Sequence, residues 1–448
     1  MTDLTNGRIS TVLPRFTAPL FISVVFQQLY SIADSLIAGR FVGEEALAAV
    51  GASFPVTNIF NAVAFGCNIG CGVVISQFFG AREYKRVRTA TSTSLLSFTA
   101  LAVILTVLGI VFTPFIMRAI ETPENIFADS ALYLKIYLGG FAFLFIYNVS
   151  NAIFNAMGDS KTSLYFLIFS SVFNVILDYI FVVFFSMGVA GVAWATFIAQ
   201  GIAGILSMLT LLHHLRRLPQ EGKAPLFSGS MLSKISKISV PSILQQSFVS
   251  VGNIFVQSLI NSFGSSVIAG FSAAMKMNTF TITSLCTVGN GVSSFTAQNI
   301  GAGKTERISG GYKCGVLLGA IIGIVFGIVY FAFAKQLMGV FIENGAGGLA
   351  VEAGASFLRI VAPFYAFISV KIVADGILRG AGNMKFFMTA TFADLILRVV
   401  LSFILAPKMG YRGIWASWPV GWLMATVLSF IFYGITIKRA KSGKLKRL

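Results

Sequence analysis

Charge is scarce in this sequence. Asp, Glu, Lys and Arg together make up 11% of 448 residues, against about 25% in a soluble domain, which excludes a water-soluble globular fold. Histidine is scarcer still: the chain holds two, His213 and His214, side by side. With no histidine inside an apolar run, no Ser/His/Asp set can be assembled there. GDSK and GAGK do not match G-x-x-x-x-G-K-[ST], so a Walker-type phosphate loop is absent too. The four cysteines, Cys67, Cys71, Cys286 and Cys314, all lie in or beside apolar segments. Cys67 and Cys71 are one helical turn apart, but with no histidine near them in sequence they read as small hydrophobes rather than metal ligands. Enzymatic chemistry is not expected.

What the chain has in excess is apolar length. Hydrophobic residues are 56% of the total, and runs of roughly 18–25 residues are each enough to cross ~30 Å of hydrocarbon. Twelve spans are expected, at 16–39, 47–77, 89–115, 131–157, 163–185, 189–214, 239–262, 267–299, 311–334, 355–378, 386–406 and 413–437. When loops are assigned alternately, the set holding both termini carries 23 Lys/Arg and the opposite set seven; Lys276, Lys371 and Arg398 fall inside spans. The positive-inside rule then puts both termini in the cytoplasm. The net charge of +17 reads as orientation, and nucleic acid is not an expected partner. The opening MTDLTNGRISTVLPRF lacks a signal-peptide layout, so the first span is expected to be retained.

The two halves are copies of one another. APLFISVVFQQLYSIADSLIAGRFVGEEALAAVGAS aligns with VPSILQQSFVSVGNIFVQSLINSFGSSVIAGFSAA at an offset of 222, matching Pro19 with Pro241 and Phe41 with Phe263. FFGAR (78–82) answers NIGAG (299–303), NAMGDSK (155–161) answers RGAGNMK (379–385), and MGVAGVAWAT (187–196) answers MGYRGIWASW (409–418). Six spans per half means both copies enter from the same side. The expected fold is an all-α polytopic membrane protein, with two six-helix lobes related by a pseudo-two-fold along the membrane normal. The expected division is 1–214, a cytoplasmic linker 215–238, 239–437 and a basic tail 438–448.

QLYSIADSLIAGRFVGEEALAAVG, GDSKTS, FNVILDYIFV and MGVAGVAWAT, taken together, resemble the multidrug and toxic compound extrusion (MATE) family over nearly the whole chain. Within it the sequence is similar to the DinF-like branch, whose amino-terminal lobe carries a cation site. The resemblance implies that Tyr30 and Asp34 in span 1, Asn174 and Asp178 in span 5 and Thr196 in span 6 couple ion flow to transport. If the ion is Na⁺, Asp34, Asn174, Asp178 and Thr196 would be its ligands; H⁺ is the alternative, and no other cofactor is expected. It further implies a bacterial cytoplasmic-membrane antiporter that works as a monomer in the lipid bilayer and exports small, amphipathic, mostly cationic drugs or metabolites.

The residues make a case of their own. Only Asp34, Asp178, Asp375 and Asp394 among the sixteen carboxylates fall in spans, where each costs about 2.5–3.5 kcal/mol to insert. Asp394 has Arg398 one turn on, and Asp375 is flanked by Lys371 and Arg379 at helical spacing, so these five read as structural ion pairs. Asp34 and Asp178 have no base within a turn; their i−4 neighbours are Tyr30 and Asn174. At 1.5 Å per residue, Asp34 lies ~27 Å above the inner end of its span, Asp178 ~22 Å and Thr196 close to ~20 Å. Three helices thus carry oxygen ligands in one layer. In the second half the counterparts of Tyr30, Asp34 and Thr196 are Gly252, Val256 and Trp418, and those of Asn174 and Asp178 are Arg398 and Ser402. The fold alone does not demand the acids. Burial and like charge disfavour two bare carboxylates together, and either a proton or Na⁺ relieves the repulsion.

Substrate contacts are less legible. Gln27, Gln28, Gln245 and Gln246, near the inner halves of spans 1 and 7, are candidate cavity donors or interhelical glue. Lys276 is expected either to pair with an acid of the second lobe or to line the cavity. Pro19 is a candidate bend in span 1. The rival reading is a flippase for a lipid-linked saccharide, which is expected to carry several intramembrane bases facing pyrophosphate. Only three are present, and Lys371 and Arg398 have local acids.

Overall fold

A computed structural model describes residues 2–37, 41, 44–219, 222–342 and 347–444; for 32–37, 44–47 and 347 it describes the backbone alone. The described residues form helices and no strand: α1 (Ile9–Ile37), α2 (Glu44–Gly80), α3 (Tyr84–Ala119), α4 (Glu124–Gly139), α5 (Phe141–Ala156), α6 (Ser160–Tyr179), α7 (Gly188–Arg217), α8 (Gly229–Asn261), α9 (Ser265–Gly301), α10 (Arg307–Phe341), α11 (Gly347–Val361), α12 (Tyr365–Gly380), α13 (Met384–Met409) and α14 (Tyr411–Lys441). A 46° bend joins α4 to α5 in one span, and a 3₁₀ turn, Ala362–Phe364, joins α11 to α12 in another. Twelve traverses result among the described residues, each overlapping one expected apolar run.

Several helices overrun their apolar stretch. α1 begins at Ile9 and α8 at Gly229, about two turns before hydropathy rises, because intrahelical hydrogen bonds hold outside the hydrocarbon as well as inside it. Ten of the helices are both long and apolar enough to cross a membrane, eleven with the bent pair. The remaining traverse, α9, has the length at 37 residues. Its many Ser, Thr and Asn lower its hydropathy, and half of those residues are buried inside the protein.

The internal repeat is written into the backbone. Gly158 and Gly382 occupy matching places in NAMGDSK and RGAGNMK and take φ of +77° and +74°, left-handed values that favour glycine. Gly188 and Gly410, also matched, take +58° and +63°. In the third pair the first half uses Arg82 at +59° where the second half has Gly303 at +73°. Asp159 caps α6, accepting from the Thr162 N–H at 3.3 Å and the Thr162 hydroxyl at 2.9 Å. Two such matched breaks also lie mid-span, at Gly139–Gly140 and at Ala362–Phe364.

The chain divides into two compact units. The first holds Met1–Asp3 and Ala18–Ile243, the second Leu4–Thr17 and Leu244–Leu448. The amino-terminal ends of α1 and α8 therefore belong to the unit other than the one their carboxyl-terminal ends join, which the repeat does not announce. Small residues make this possible. Within the first unit, Gly66 and Gly70 of α2 bring its backbone against Ile243 and Ser239 of α8. Within the second, Gly291 of α9 receives Thr17 and Gly310 of α10 receives Ile9. Asn299 donates to the Leu4 carbonyl at 3.1 Å, and Lys304 donates to that of Thr5 at 3.0 Å. The second unit has an aromatic core in which Phe271 stacks on Trp415 at 4.9 Å, with Phe357, Trp418 and Trp422 around them.

Candidate functional site

α6 carries the buried acid. Asp178 is fully buried and Asn174, one turn earlier, is 3% exposed. Neither amide atom of Asn174 hydrogen-bonds within the described residues. Directly after Asp178 the helix loosens into a π-turn, Ile180–Phe184, a feature found disproportionately at functional sites because it frees backbone groups and re-aims side chains. The matching stretch of the second half, 404–408, continues as α-helix within α13. The irregularity is therefore a property of the acid-bearing copy.

Asn174 opens onto a cavity of about 430 Å³ inside the first unit. Tyr30 of α1 and Thr196 of α7 line the same cavity, so three of the five residues expected at the ion site converge; of the three placed at one depth, Thr196 lines it and Asp178 does not. Tyr30 is half-buried and Thr196 is 8% exposed. The Asp34 carboxylate lies outside the described residues. Thr196, Ala199, Gln200 and Ala203 form one stripe of α7, and Leu167, Ser171 and Asn174 one stripe of α6, at the i, i+3, i+4, i+7 spacing of a helix face. Asn61 and Asn68, two turns apart on α2, and Asn148 on α5 add amides. Asn61 donates to the Tyr137 hydroxyl at 3.3 Å, and Asn148 is tied to the Leu144 carbonyl at 2.9 Å. Among the described residues eighteen line the cavity; twelve of them are polar and none is Lys, Arg, Asp or Glu. A neutral, oxygen-rich chamber inside a lipid-embedded bundle is costly to build, and it offers hydrogen-bond groups without net charge.

The asparagines Asn61, Asn68 and Asn148 and the glutamine Gln200 escaped the sequence reading. Their signal was available as amides recurring at helical spacing inside apolar runs. Of the four glutamines considered as cavity donors, Gln27 lines this cavity, whereas Gln28, Gln245 and Gln246 do not. Consecutive residues on a helix point about 100° apart, and α1 turns Gln27 rather than Gln28 to this chamber. Lys276 does not line it either. Its side chain is exposed, with its ammonium 5.9 Å from the ring centre of Phe341, and it has no acid partner among the described residues.

The presumed ion pairs of the second unit hold only in part. Lys371 and Asp375 pair at 2.8 Å, and Ser429 donates to the other Asp375 oxygen at 2.8 Å. Arg379 makes no ion pair among the described residues; its guanidinium lies 5.5 Å from the Phe387 ring centre. Asp394 and Arg398 do not pair either. Arg398 turns onto the Trp418 ring at 4.3 Å, and the Asp394 carboxylate sits against Gly421 of α14. One-turn spacing brings two groups within reach, but a tryptophan face on the neighbouring helix competes for the guanidinium.

Chemically, the first-unit site offers a carboxylate, an amide oxygen and hydroxyls. These are hard donors suited to an alkali cation or a proton. No cluster of three or more His, Cys, Asp or Glu that could hold a transition metal occurs among the described residues. All four cysteines are free thiols, with Cys67 and Cys71 buried.

Comparison with known proteins gives the same fold throughout. A solved transporter of the MOP superfamily from Pyrococcus furiosus, described as having a binding pocket of reversed polarity, superposes with a TM-score of 0.92 over 98% of both chains at 22% identity. The chain is 29% identical to the "Probable multidrug resistance protein YpnP" of Bacillus subtilis, covering 96% of each. It is 21% identical to the "Multidrug export protein MepA" of Staphylococcus aureus, over 89% of this chain and 88% of that one. The model of the MatE family matches residues 19–180 and again 241–404, one copy on each half. The chain, a multi-pass membrane protein and not an enzyme, belongs to the MatE family of transporters.

Proposed function

We propose that this transporter exports amphipathic organic cations in exchange for an inward-moving monovalent cation, Na⁺ or H⁺, taken up at Asp178 and Asp34 with Asn174, Thr196 and Tyr30. The observation that carries the proposal is a fully buried Asp178, one turn from an amide that lines a polar cavity of drug-like size. Pockets of about 300–1,000 Å³ suit small organic ligands. Tyr30, Tyr137 and Tyr147 line this one, and aromatic rings attract organic cations.

The coupling follows from charge. A cation that reaches Asp178 from outside moves down the membrane potential, worth about 2.3 kcal/mol per charge per 100 mV. Its arrival neutralises a carboxylate that α6 otherwise keeps in a dry setting, which favours a different packing of α1, α6 and α7. Pro19 lies within an unbroken α1 and leaves one helix hydrogen bond unmade, so α1 has a place to bend. Substrate and ion alternate because each favours a different arrangement. Both termini face the cytoplasm of a bacterial inner membrane, and the monomer is the working unit. The site's place in the amino-terminal half is what the DinF-like resemblance implies.

The flippase reading is disfavoured because no base lines the cavity among the described residues. The test is transport of ethidium in proteoliposomes with Na⁺ and pH gradients imposed separately. Uptake that follows one of the two supports antiport and names the ion. Uptake indifferent to both removes the proposal.

A further inference from the structure

A second pocket, remote from the transport chamber, lies where α3 begins and α7 ends, roofed by the segment after residue 221. It encloses about 530 Å³ and takes three cations, Arg88, Arg216 and Lys223, into its lining. Among the described residues no Asp or Glu lines it, and none of the three pairs with an acid. By sequence, residues 215–238 hold five bases and one acid, Glu221.

Arg88 is held in place. It donates to the carbonyls of Leu215 at 3.0 Å, Leu218 at 2.7 Å and Pro219 at 3.2 Å, closing the carboxyl end of α7 where the helix dipole is negative. Thr91, one turn along α3, also lines the pocket. It is 1% exposed, and its hydroxyl has no hydrogen-bond partner among the described residues. The Ser228 N–H bonds to the Thr93 hydroxyl at 3.1 Å, which ties the segment down over α3. Leu212 and Leu226 complete the lining with apolar surface; Leu226 is 75% exposed and its neighbour Phe227 52%.

A basic chamber with an idle hydroxyl inside and bare apolar side chains at its lip, at the level where spans leave the bilayer, matches one chemistry. We propose that this pocket binds the phosphodiester headgroup of an anionic phospholipid from the cytoplasmic leaflet. Arg216 and Lys223 meet the phosphate, Thr91 donates to it, and Leu212 and Leu226 cover the first acyl carbons. Basic pockets between spans on this side are suited to such headgroups, and each surface Lys or Arg contributes on the order of tenfold or less in affinity.

The test is titration of the full-length protein with phosphatidylglycerol, read by native mass spectrometry. Three proteins are compared: wild type, the double variant Arg216→Gln/Lys223→Gln, and a control that removes two other exposed bases, Lys313→Gln/Lys438→Gln. All four positions are exposed, so folding is preserved. The expected result is a phosphatidylglycerol affinity roughly thirtyfold weaker in the first double variant and unchanged in the control. Equal losses in both variants would mean general attraction to basic surface and would overturn the proposal. Phosphatidylcholine binding as tightly, or inorganic phosphate displacing the lipid, would overturn it as well.

Discussion

Asp178→Asn exchanges a carboxylate for an amide of nearly the same volume at a position with no solvent exposure, so shape is retained and only charge is removed. For one-for-one exchange of a monovalent ion and a monovalent substrate, a tenfold gradient of the ion, about 1.4 kcal/mol, sustains a tenfold substrate ratio. If a cycle also moves one net charge, 100 mV contributes about 2.3 kcal/mol more, close to another fiftyfold. An amide takes up neither a proton nor a full countercharge, so neither gradient does work and the ratio falls to about one. Asp178 is not among the cavity-lining residues, which leaves the substrate's polar contacts in place. The assay is steady-state accumulation of ethidium in proteoliposomes, beside equilibrium binding of the same dye in detergent without a gradient. Expected are loss of gradient-driven accumulation and retention of binding. If the variant accumulated dye as wild type does, the coupling role of this carboxylate would be refuted.

Asn174→Leu and Thr196→Val each remove one neutral ligand of the proposed ion site, and a hydrogen bond to a charged group is worth about 1.5–3 kcal/mol. The concentration of Na⁺ or H⁺ giving half-maximal transport is expected to shift by roughly tenfold or more in each. Lys371→Met leaves a buried Asp375 without its 2.8 Å ion-pair partner and is expected to cost about 3–5 kcal/mol. Lys371→Met/Asp375→Leu recovers most of that, and thermal unfolding in detergent reads both. Gly158→Ala forces a side chain into φ +77° against the Thr2 backbone; a loss of at least about 1–2 kcal/mol is expected, again by thermal unfolding. Arg398→Gln removes the guanidinium from the Trp418 face, and Asp394→Asn is expected to rescue only a small part of the loss, because no direct ion pair joins the two side chains. A double variant markedly more stable than Arg398→Gln alone would restore the ion-pair reading.

Much of this protein could be read from its residues because a bilayer is a demanding solvent. With no water to satisfy backbone groups, each apolar run must be a helix, and charge scarcity, twelve spans and the duplicated motifs follow from counting. Depth was also legible. The rise of 1.5 Å per residue puts Asp34, Asp178 and Thr196 in one layer before any packing is known, and Thr196 lines a cavity together with Asn174, one turn from Asp178. Rotation about the helix axis was not. Both faces of a lipid-embedded helix are apolar, so periodicity only weakly marks which side faces the interior. The choice of Gln27 over Gln28 and the convergence of Asn61, Asn68, Asn148 and Gln200 therefore came from neighbouring helices. The same holds for Arg398, whose nearest acid in sequence lost to the ring of Trp418 on α14. Local spacing lists the contacts a side chain can make, and packing selects among them by what the facing helix presents.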